Sequence, residues 1–257
     1  MTEEQLFHVN SQQCFKNQEE MMEKKKTRDL KLEDVIIREN SAILPDRSYP
    51  NSELKYLCRN FPDSCIRPFA RTLSSFRVAP NRKLAACLVQ KSASTAMYGT
   101  ICYLKNETAF KLSGRDMLKE IGHVVFCRDN HYPTYESLND TFARLDGWKV
   151  LYVKRDPIDR FLSGYLDLCL QRLECLGCFY NLTCFMERLL DRALAYNEAV
   201  TLDEVAMHLF PQTWHCGFAR HQSDFTFIRY SNNPKDTFLP DLVKVLNNQN
   251  ASTKCIH

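Results

Sequence analysis

One short segment, Gln90-Lys91-Ser92-Ala93-Ser94-Thr95, places an ammonium group and three hydroxyl groups close together. It lies between a short apolar run and a stretch with apolar residues at helical spacing, which predicts a turn from a strand into a helix. The N–H groups and positive dipole end of a helix start, with an ammonium and short hydroxyls, suit a phosphate or sulfate. The glycines of a Walker A loop are absent, which argues against an ATPase or a nucleotide kinase. The alternative is that Ser92, Ser94 and Thr95 only cap the helix and that Lys91 is solvated.

A second candidate anion-binding segment runs from Arg155 to Ser163 and also follows an apolar strand. Asp156 is a suitable N-cap and Pro157 suits the first helical position, so a helix is predicted to begin here. Ser163 lies seven residues after Asp156 and therefore returns to the same helix face. Arg155 and Ser163 could hold one phosphate from two sides. The alternative is a simple cap with an i,i+4 ion pair between Asp156 and Arg160.

In combination the two segments resemble the 5′-phosphosulfate and 3′-phosphate motifs of the Golgi carbohydrate sulfotransferases. The nearest pattern is the chondroitin 4-O-sulfotransferase-like group, in its cysteine-rich branch of the nematode type. The resemblance runs from about residue 84 to residue 230 and includes Asn181–Phe185, His208–Gln212 and Cys216. It departs from the commoner family form at Gln90, which precedes the lysine, and this affects only the shape of the turn.

The resemblance implies a P-loop-like α/β fold, with a central, mainly parallel sheet flanked by helices. The implied reaction transfers a sulfuryl group from 3′-phosphoadenosine 5′-phosphosulfate to a glycan or proteoglycan hydroxyl, with no metal. The donor phosphosulfate would be held by four residues of the first motif, Lys91, Ser92, Ser94 and Thr95. Lys91 would also neutralise charge on the departing phosphate. Arg155 and Ser163 would bind the 3′-phosphate.

Three histidines are candidates for the base that an attacking hydroxyl requires. His208 lies in the family-like His-x-x-Pro-Gln segment and is favoured narrowly. His123 begins an apolar run, in a context similar to that of the catalytic histidine of uronyl 2-O-sulfotransferases. His131 is a weaker third candidate. Each of them could instead be a structural hydrogen-bonding residue.

The elements that must position these groups follow an alternating strand and helix pattern. Predicted strands cover residues 84–89, 123–127, 149–153 and 225–229, and predicted helices cover the stretch after residue 95 and residues 135–145, 157–173, 182–198, 201–209 and 237–247. This pattern predicts parallel βαβ units that bind ligands at the carboxyl ends of the strands. Residues 1–40 are expected to form a charged arm, helical or disordered, and residues 41–257 the sulfotransferase domain. Within that domain residues 41–80 contain five prolines and are predicted to be mostly loop or short helix.

Twelve cysteines are many for a chain of this length, and four of them cluster: Cys169, Cys175, Cys178 and Cys184. Two disulfides are favoured for the cluster, with a zinc site or free thiols as the alternatives, and the connectivity stays open. Four Asn-x-Ser/Thr sequons accompany the cysteines, at Asn106, Asn139, Asn181 and Asn250. Cysteines and sequons together favour an oxidising, secretory compartment.

Charge and composition limit the partners and the location. A formal net charge of +3 is small for a general nucleic-acid binder, so no nucleic-acid partner is expected. Residues 1–30 are polar and show neither a signal peptide nor a stop-transfer segment. The family resemblance nevertheless implies the Golgi lumen or membrane, so a shortened isoform or an incomplete gene model is one interpretation. The other is a cytosolic chain with reduced thiols. The rival function is a catalytically inactive, cysteine-stapled or zinc-bound interaction domain on the same fold.

Overall fold

The computed structural model describes residues 75–115, 117, 127, 129–195 and 203–251. A four-stranded sheet organises them, with β1 at Phe76–Ala79, β2 at Leu84–Cys87, β3 at Lys149–Arg155 and β4 at Phe225–Tyr230. The strand order is β1-β2-β3-β4; β1 pairs antiparallel with β2, whereas β2, β3 and β4 are parallel. The predicted mainly parallel sheet is therefore confirmed, and the carboxyl ends of its three parallel strands lie at one edge.

Helices connect and flank these strands. They are α1 at Ser94–Lys105, α2 at Glu107–Leu112, α3 at Tyr135–Thr141, α4 at Pro157–Tyr165, α5 at Leu182–Ala195, α6 at Glu204–Leu209, α7 at Phe218–His221 and α8 at Phe238–Asn248. The helix predicted for 157–173 changes to π-helical winding at Leu166–Gln171, directly after α4. Of the helices in the described ranges, none is long and apolar enough to cross a membrane.

The apolar runs of β2 and β3 explain why these strands form the centre of the sheet. All four residues of β2 are buried, and so are the four central residues of β3, as expected for parallel strands covered on both faces. The aromatic ring of Tyr152 on β3 packs against Phe218 and Phe225. The prediction extended β2 to Val89, but the strand ends at Cys87, where the chain begins to turn.

The strand β1 lies within residues 41–80, which were predicted to be mostly loop or short helix, and it was not itself predicted. Phe76 pairs with Cys87 in an antiparallel register, and the 3₁₀ turn Pro80–Arg82 joins β1 to β2. A four-residue edge strand ahead of a proline carries too short a pattern to stand out in the sequence. Two predicted regions lie outside the described residues. They are residues 1–74, which include the predicted arm 1–40, and residues 123–126 of the predicted strand, which include His123.

Disulfide bonds join all eight cysteines of the described ranges: Cys87–Cys216, Cys102–Cys127, Cys169–Cys175 and Cys178–Cys184. The two disulfides predicted for the cluster are confirmed, and each joins neighbours in the sequence. Because bonded sulfurs are not thiolates, the zinc alternative is wrong for this cluster. Across the described residues no group of three or more His, Cys, Asp or Glu side chains could hold a metal ion.

Candidate active site

The turn between β2 and α1, residues 88–93, has a backbone suited to an anion. Lys91 and Ala93 both have left-handed backbone angles, with φ of 63° and 56°, on either side of Ser92. Turns of this kind direct successive N–H groups into a concavity that binds anions. Ala93 is the N-cap of α1 and offers no side-chain cap. The first N–H groups of α1 therefore lack the side-chain cap that a serine or threonine at the N-cap would supply.

The three hydroxyls of the first motif do not cap α1, so the alternative interpretation of the motif is wrong on this point. Ser92 is buried and its Oγ donates to Gln212 Oε1 at 3.2 Å. Ser94 Oγ donates to Gln90 Oε1 at 2.9 Å. Thr95 is the second residue of α1 and is half-buried. The hydroxyls thus lie around the turn and the start of the helix.

Gln212 is a residue of this site that sequence reasoning did not select. Its Oε1 accepts hydrogen bonds from Ser92 Oγ and, at 3.3 Å, from the backbone N–H of Arg155. The hydroxyl of Tyr152 donates to the carbonyl oxygen of Gln212. The side chain therefore links the β2–α1 turn to the end of β3. Its presence in the family-like His208–Gln212 segment was the available signal, but no spacing rule gave it a role.

The second motif begins as predicted. Asp156 caps α4, with Oδ1 accepting from the N–H groups of Ile158 at 2.8 Å and Asp159 at 3.1 Å, and Pro157 is the first helical residue. Arg155 ends β3, and its Nη1 donates to the carbonyl oxygen of Lys91 at 2.7 Å. The fold thus brings Arg155 directly against the first motif.

The other polar atoms of this motif, on Arg155 and Ser163, make few contacts within the described residues. The Arg155 guanidinium lies 5.2 Å from the centre of the Tyr230 ring. Its Nε is buried and has no hydrogen-bond partner within the described ranges. Ser163 is half-buried on α4, and its hydroxyl makes no hydrogen bond to Arg155. The structure therefore places Arg155 beside Lys91, whereas a shared grip by Arg155 and Ser163 stays a prediction.

The alternative interpretation of the second motif, an ion pair between Arg160 and Asp156, is wrong, because Arg160 is buried and donates to other groups. Arg160 is 3% exposed, and its Nε donates to the carbonyl oxygen of Gln90 at 2.9 Å, while Nη1 donates to that of Phe210 at 2.8 Å. Burial lowers the pKa of Arg160 to about 10, so the group is still charged at neutral pH. Its Nη2 is buried without a partner in the described part of the chain. A buried cation in this state favours a nearby anion.

Lys91 is held by a carboxylate, so it is not simply solvated. Its Nζ lies 2.9 Å from Asp167 Oδ2, and the two side chains are 15% and 19% exposed. Arg172 grips the same carboxylate as a fork, from Nε to Oδ1 at 3.2 Å and from Nη2 to Oδ2 at 3.1 Å. Burial raises the pKa of Asp167, but Lys91 and Arg172 outweigh it and the net pKa is lowered. Asp167 lies in the π-helical segment and was not predicted.

His208 lies on α6 next to this ion pair. Its Nδ1 is 2.7 Å from the carbonyl oxygen of Glu204. Because a carbonyl oxygen only accepts, Nδ1 carries the proton and Nε2 keeps its lone pair. Nε2 lies 4.0 Å from Asp167 Oδ2. Burial lowers the pKa of His208, and the charge of Lys91 lowers it further. The ring is therefore a neutral potential base at neutral pH.

His131, the other candidate base within the described ranges, forms no ion pair with this cluster. His131 is exposed and precedes Tyr132, which pairs with Phe76 of β1. Partial burial of its ring, although the residue as a whole is exposed, and the charge of Arg77 lower the pKa of His131. Of the described candidates, His208 alone has an ion-pair distance to the Lys91–Asp167 pair. His123 lies outside the described residues.

Known proteins share this chain's sequence over most of its length. The model of the sulfotransferase family matches residues 74–256, or 183 of 257 residues. Three proteins of Caenorhabditis elegans are similar. The putative sulfotransferase vep-2 is 35% identical over 253 residues, covering 90% of this chain and 77% of that protein. The uncharacterized protein C18B2.2 is 34% identical over 231 residues, covering 86% of this chain and 64% of that protein.

The third relative is the carbohydrate sulfotransferase chst-1, which is 28% identical over 231 residues, covering 84% of this chain and 68% of that protein. No solved structure matches the chain significantly. The family match spans the sheet, the β2–α1 turn and the segment of His208, and the mixed α/β architecture agrees with it. On the family match and on its similarity to vep-2, this chain belongs to the sulfotransferase family.

Proposed function

We propose that this chain transfers a sulfuryl group from 3′-phosphoadenosine 5′-phosphosulfate to a hydroxyl of a glycan, on a polysaccharide or a proteoglycan. The observation that carries the proposal is the meeting of Lys91, Arg155 and Arg160 around the uncapped start of α1, with His208 beside them. A carbohydrate acceptor, with chondroitin as one candidate, is supported by the motif resemblance and by the name of the relative chst-1.

The turn before α1 fits the phosphosulfate of the donor. Lys91, Ser92, Ser94 and Thr95 would hold it, together with the N–H groups at the start of α1. Two observations support an anion here: the left-handed backbone at Lys91 and Ala93, and the buried, unpartnered Nη2 of Arg160 among the described residues. Arg160 is adjacent to the turn, since its Nε donates to the carbonyl oxygen of Gln90, so its positive charge and the N–H donors of the turn lie near one another.

The 3′-phosphate of the donor is assigned to Arg155 and Ser163. Arg155 Nε is a buried donor with no partner in the described residues, so a phosphate oxygen would satisfy it. Ser163 lies on the helix that Asp156 caps, two turns from its start. The guanidinium suits a phosphate because its donors form a planar fork.

In the proposed reaction His208 Nε2 takes the proton of the acceptor hydroxyl. The acceptor oxygen then bonds to sulfur, and the bond between sulfur and the bridging phosphate oxygen breaks, leaving its electron pair on the 5′-phosphate. Lys91 stabilises the negative charge that develops on that phosphate. The neutral state of His208, which burial favours, is the state that this step requires.

The secretory location is part of the proposal. Asn106 and Asn181 are exposed, and each accepts a backbone N–H through Oδ1 near a helix start. A glycan is attached through Nδ2, so both caps are compatible with glycosylation. The disulfides of the described ranges also favour an oxidising compartment such as the Golgi lumen. Endoglycosidase sensitivity of the secreted chain at these two asparagines tests the location.

The experiment for donor binding is thermal unfolding with 3′-phosphoadenosine 5′-phosphate, the desulfated donor. At a hundred times its Kd this ligand stabilises by about 2.7 kcal/mol. For a domain of this size, Tm would rise by roughly 5–10 °C. The rise should be lost in Lys91→Ala and in Arg155→Ala, and kept in Lys149→Ala, an exposed lysine at the opposite end of β3. If both variants keep the full rise, the assignment is wrong.

A further inference from the structure

Asp167 faces the two groups that the proposed reaction needs. Its Oδ2 lies 2.9 Å from Lys91 Nζ and 4.0 Å from His208 Nε2. The side chain of Asp167 is 19% exposed, so water screens these charges less than it would at the surface. No motif identified in the sequence contains Asp167, and the reaction described above does not use it.

We propose that Asp167 is a positioning residue that changes partner when the donor binds. It holds Lys91 in the donor-free chain, and it stabilises protonated His208 once Lys91 has turned to the phosphosulfate. This inference rests on the proposed roles of Lys91 and His208. It adds a coupling between donor binding and the base that those roles alone do not contain.

The contacts of Arg172 explain why Asp167 stays in place while Lys91 leaves it. Arg172 bonds to both carboxylate oxygens and also lies 3.5 Å from Glu204 on α6. A bidentate arginine fixes the orientation of a carboxylate. The anionic oxygens of the donor compete with Asp167 for the Lys91 ammonium. When Lys91 moves to the donor, Oδ2 loses one positive neighbour and still faces His208.

The charged groups around His208 decide whether its pKa rises or falls when the donor binds. Lys91 from the β2–α1 turn and Arg172 from the end of the π-helical segment oppose its protonation. Glu204, one helical turn earlier on α6, favours protonation, and Asp167 faces Nε2 from the π-helical segment. An opposite charge at 4–6 Å favours the charged form of an ionisable group. Donor binding should therefore raise the pKa of His208, and Asp167 should be required for the full rise.

The test is an NMR titration of His208 in chain carrying ¹³C-labelled histidine, with the signal assigned by its loss in His208→Gln. The probe is 3′-phosphoadenosine 5′-phosphate, added at saturation. In the parent chain we expect the pKa of His208 to rise by roughly one unit when the probe binds. In Asp167→Asn, which keeps the shape of the side chain, the pKa should be lower in both states and the rise at most half as large.

A second measurement separates positioning from a merely structural role. Because the neutral amide in Asp167→Asn would no longer compete for Lys91, this variant should bind the probe as tightly as the parent chain or about two- to fivefold more tightly. Its kcat for sulfuryl transfer to chondroitin should fall at least about tenfold. Asp167→Glu should recover part of the pKa rise. Asp191→Asn, an exposed carboxylate on α5, is the matched control and should behave as the parent chain.

The outcomes separate the two proposals. If the parent chain binds the probe and the pKa of His208 responds equally in Asp167→Asn, the role of Asp167 is wrong and the proposed function stands. If Asp167→Asn loses probe binding as well as the pKa response, Asp167 is structural and the inference is also overturned. If the parent chain shows no Tm rise with the probe, the proposed function itself fails.

Discussion

The close packing of Gly164 on α4 against α6 predicts that Gly164→Ala will impair turnover far more than folding. A Cβ atom at Gly164 would lie 2.3 Å from Leu209 Cδ2 and 3.6 Å from the carbonyl oxygen of His208. Ordinary contact begins at 3.4 Å, so the methyl group of Leu209 must retreat by about 1 Å. Leu209 is 6% exposed, which leaves its side chain little room to rotate away. The retreat is therefore expected to move α6.

The stability and activity changes can be estimated separately. Overpacking of a core costs about 1–3 kcal/mol, and alanine in place of a helical glycine returns about 1 kcal/mol. The net loss of about 0–2 kcal/mol corresponds to a fall in Tm of roughly 0–8 °C. His208 precedes Leu209 on α6, and a displacement of about 1 Å at a reacting group can lower a rate a hundredfold. We therefore expect kcat to fall by about two orders of magnitude.

The assay is transfer of labelled sulfate from the donor to chondroitin, measured beside Tm with and without 3′-phosphoadenosine 5′-phosphate. The Tm rise should persist, because the three atoms nearest to the added methyl group belong to Leu209 and His208 and not to the β2–α1 turn. Leu209→Val removes the clashing atom for a cost of about 1 kcal/mol. The double variant should then recover kcat to within about fivefold of Leu209→Val alone. An undiminished kcat in Gly164→Ala would refute the reasoning, since Leu209 would have adjusted without moving His208.

Three further predictions concern folding and pH. Gly99→Ala on α1 should abolish secretion of folded chain, because its Cβ would lie 1.8 Å from the backbone oxygen of Met117; normal yield would contradict this packing. Replacing Cys87 and Cys216 by serine removes a link across 129 residues and should cost about 4–5 kcal/mol in urea unfolding, so an unchanged midpoint would count against it. The pKa of His208 lies below 6.5, so the neutral base persists until pH falls through that lowered value. The pH dependence of kcat/KM for the donor reports the ionisation of the free enzyme. This kcat/KM should therefore fall to half of its maximum at a pH below 6.5, and a midpoint above 6.5 would contradict the prediction.

The three parallel strands could be predicted, and most clearly β2 and β3, because these two are nearly continuous apolar runs. The predictions for β2, β3 and β4 agree with the structure to within two residues at each end. The edge strand β1 could not be predicted, since its four residues depend on pairing with β2 for their hydrogen bonds. The helix after Pro157 was predicted in extent, but its change to π-helical winding at Leu166 has no simple sequence signal.

The candidate active site was likewise predicted only in part. The meeting of Lys91 and Arg155 follows from the rule that parallel strands direct their carboxyl ends to one edge. The contacts of Asp167 and Gln212 depend on how α4, the π-helical segment and the loop after α6 pack in space, which spacing along the chain does not encode. The i,i+4 spacing suggested an ion pair with Asp156 as the alternative for Arg160, whereas the carbonyl groups of two distant segments bind it in the interior.

The bond between Cys87 and Cys216 also sets an order of events during biosynthesis. Cys87 leaves the ribosome long before its partner, and at about 5–20 residues per second the intervening 129 residues take on the order of ten seconds. Cys102 and Cys127 emerge within that interval, and both are wrong partners for Cys87. The strand that leads into the Lys91 turn therefore cannot be locked to the Gln212 loop until most of the chain is made. Thiol–disulfide exchange would have to correct any earlier pairing before the enzyme could mature.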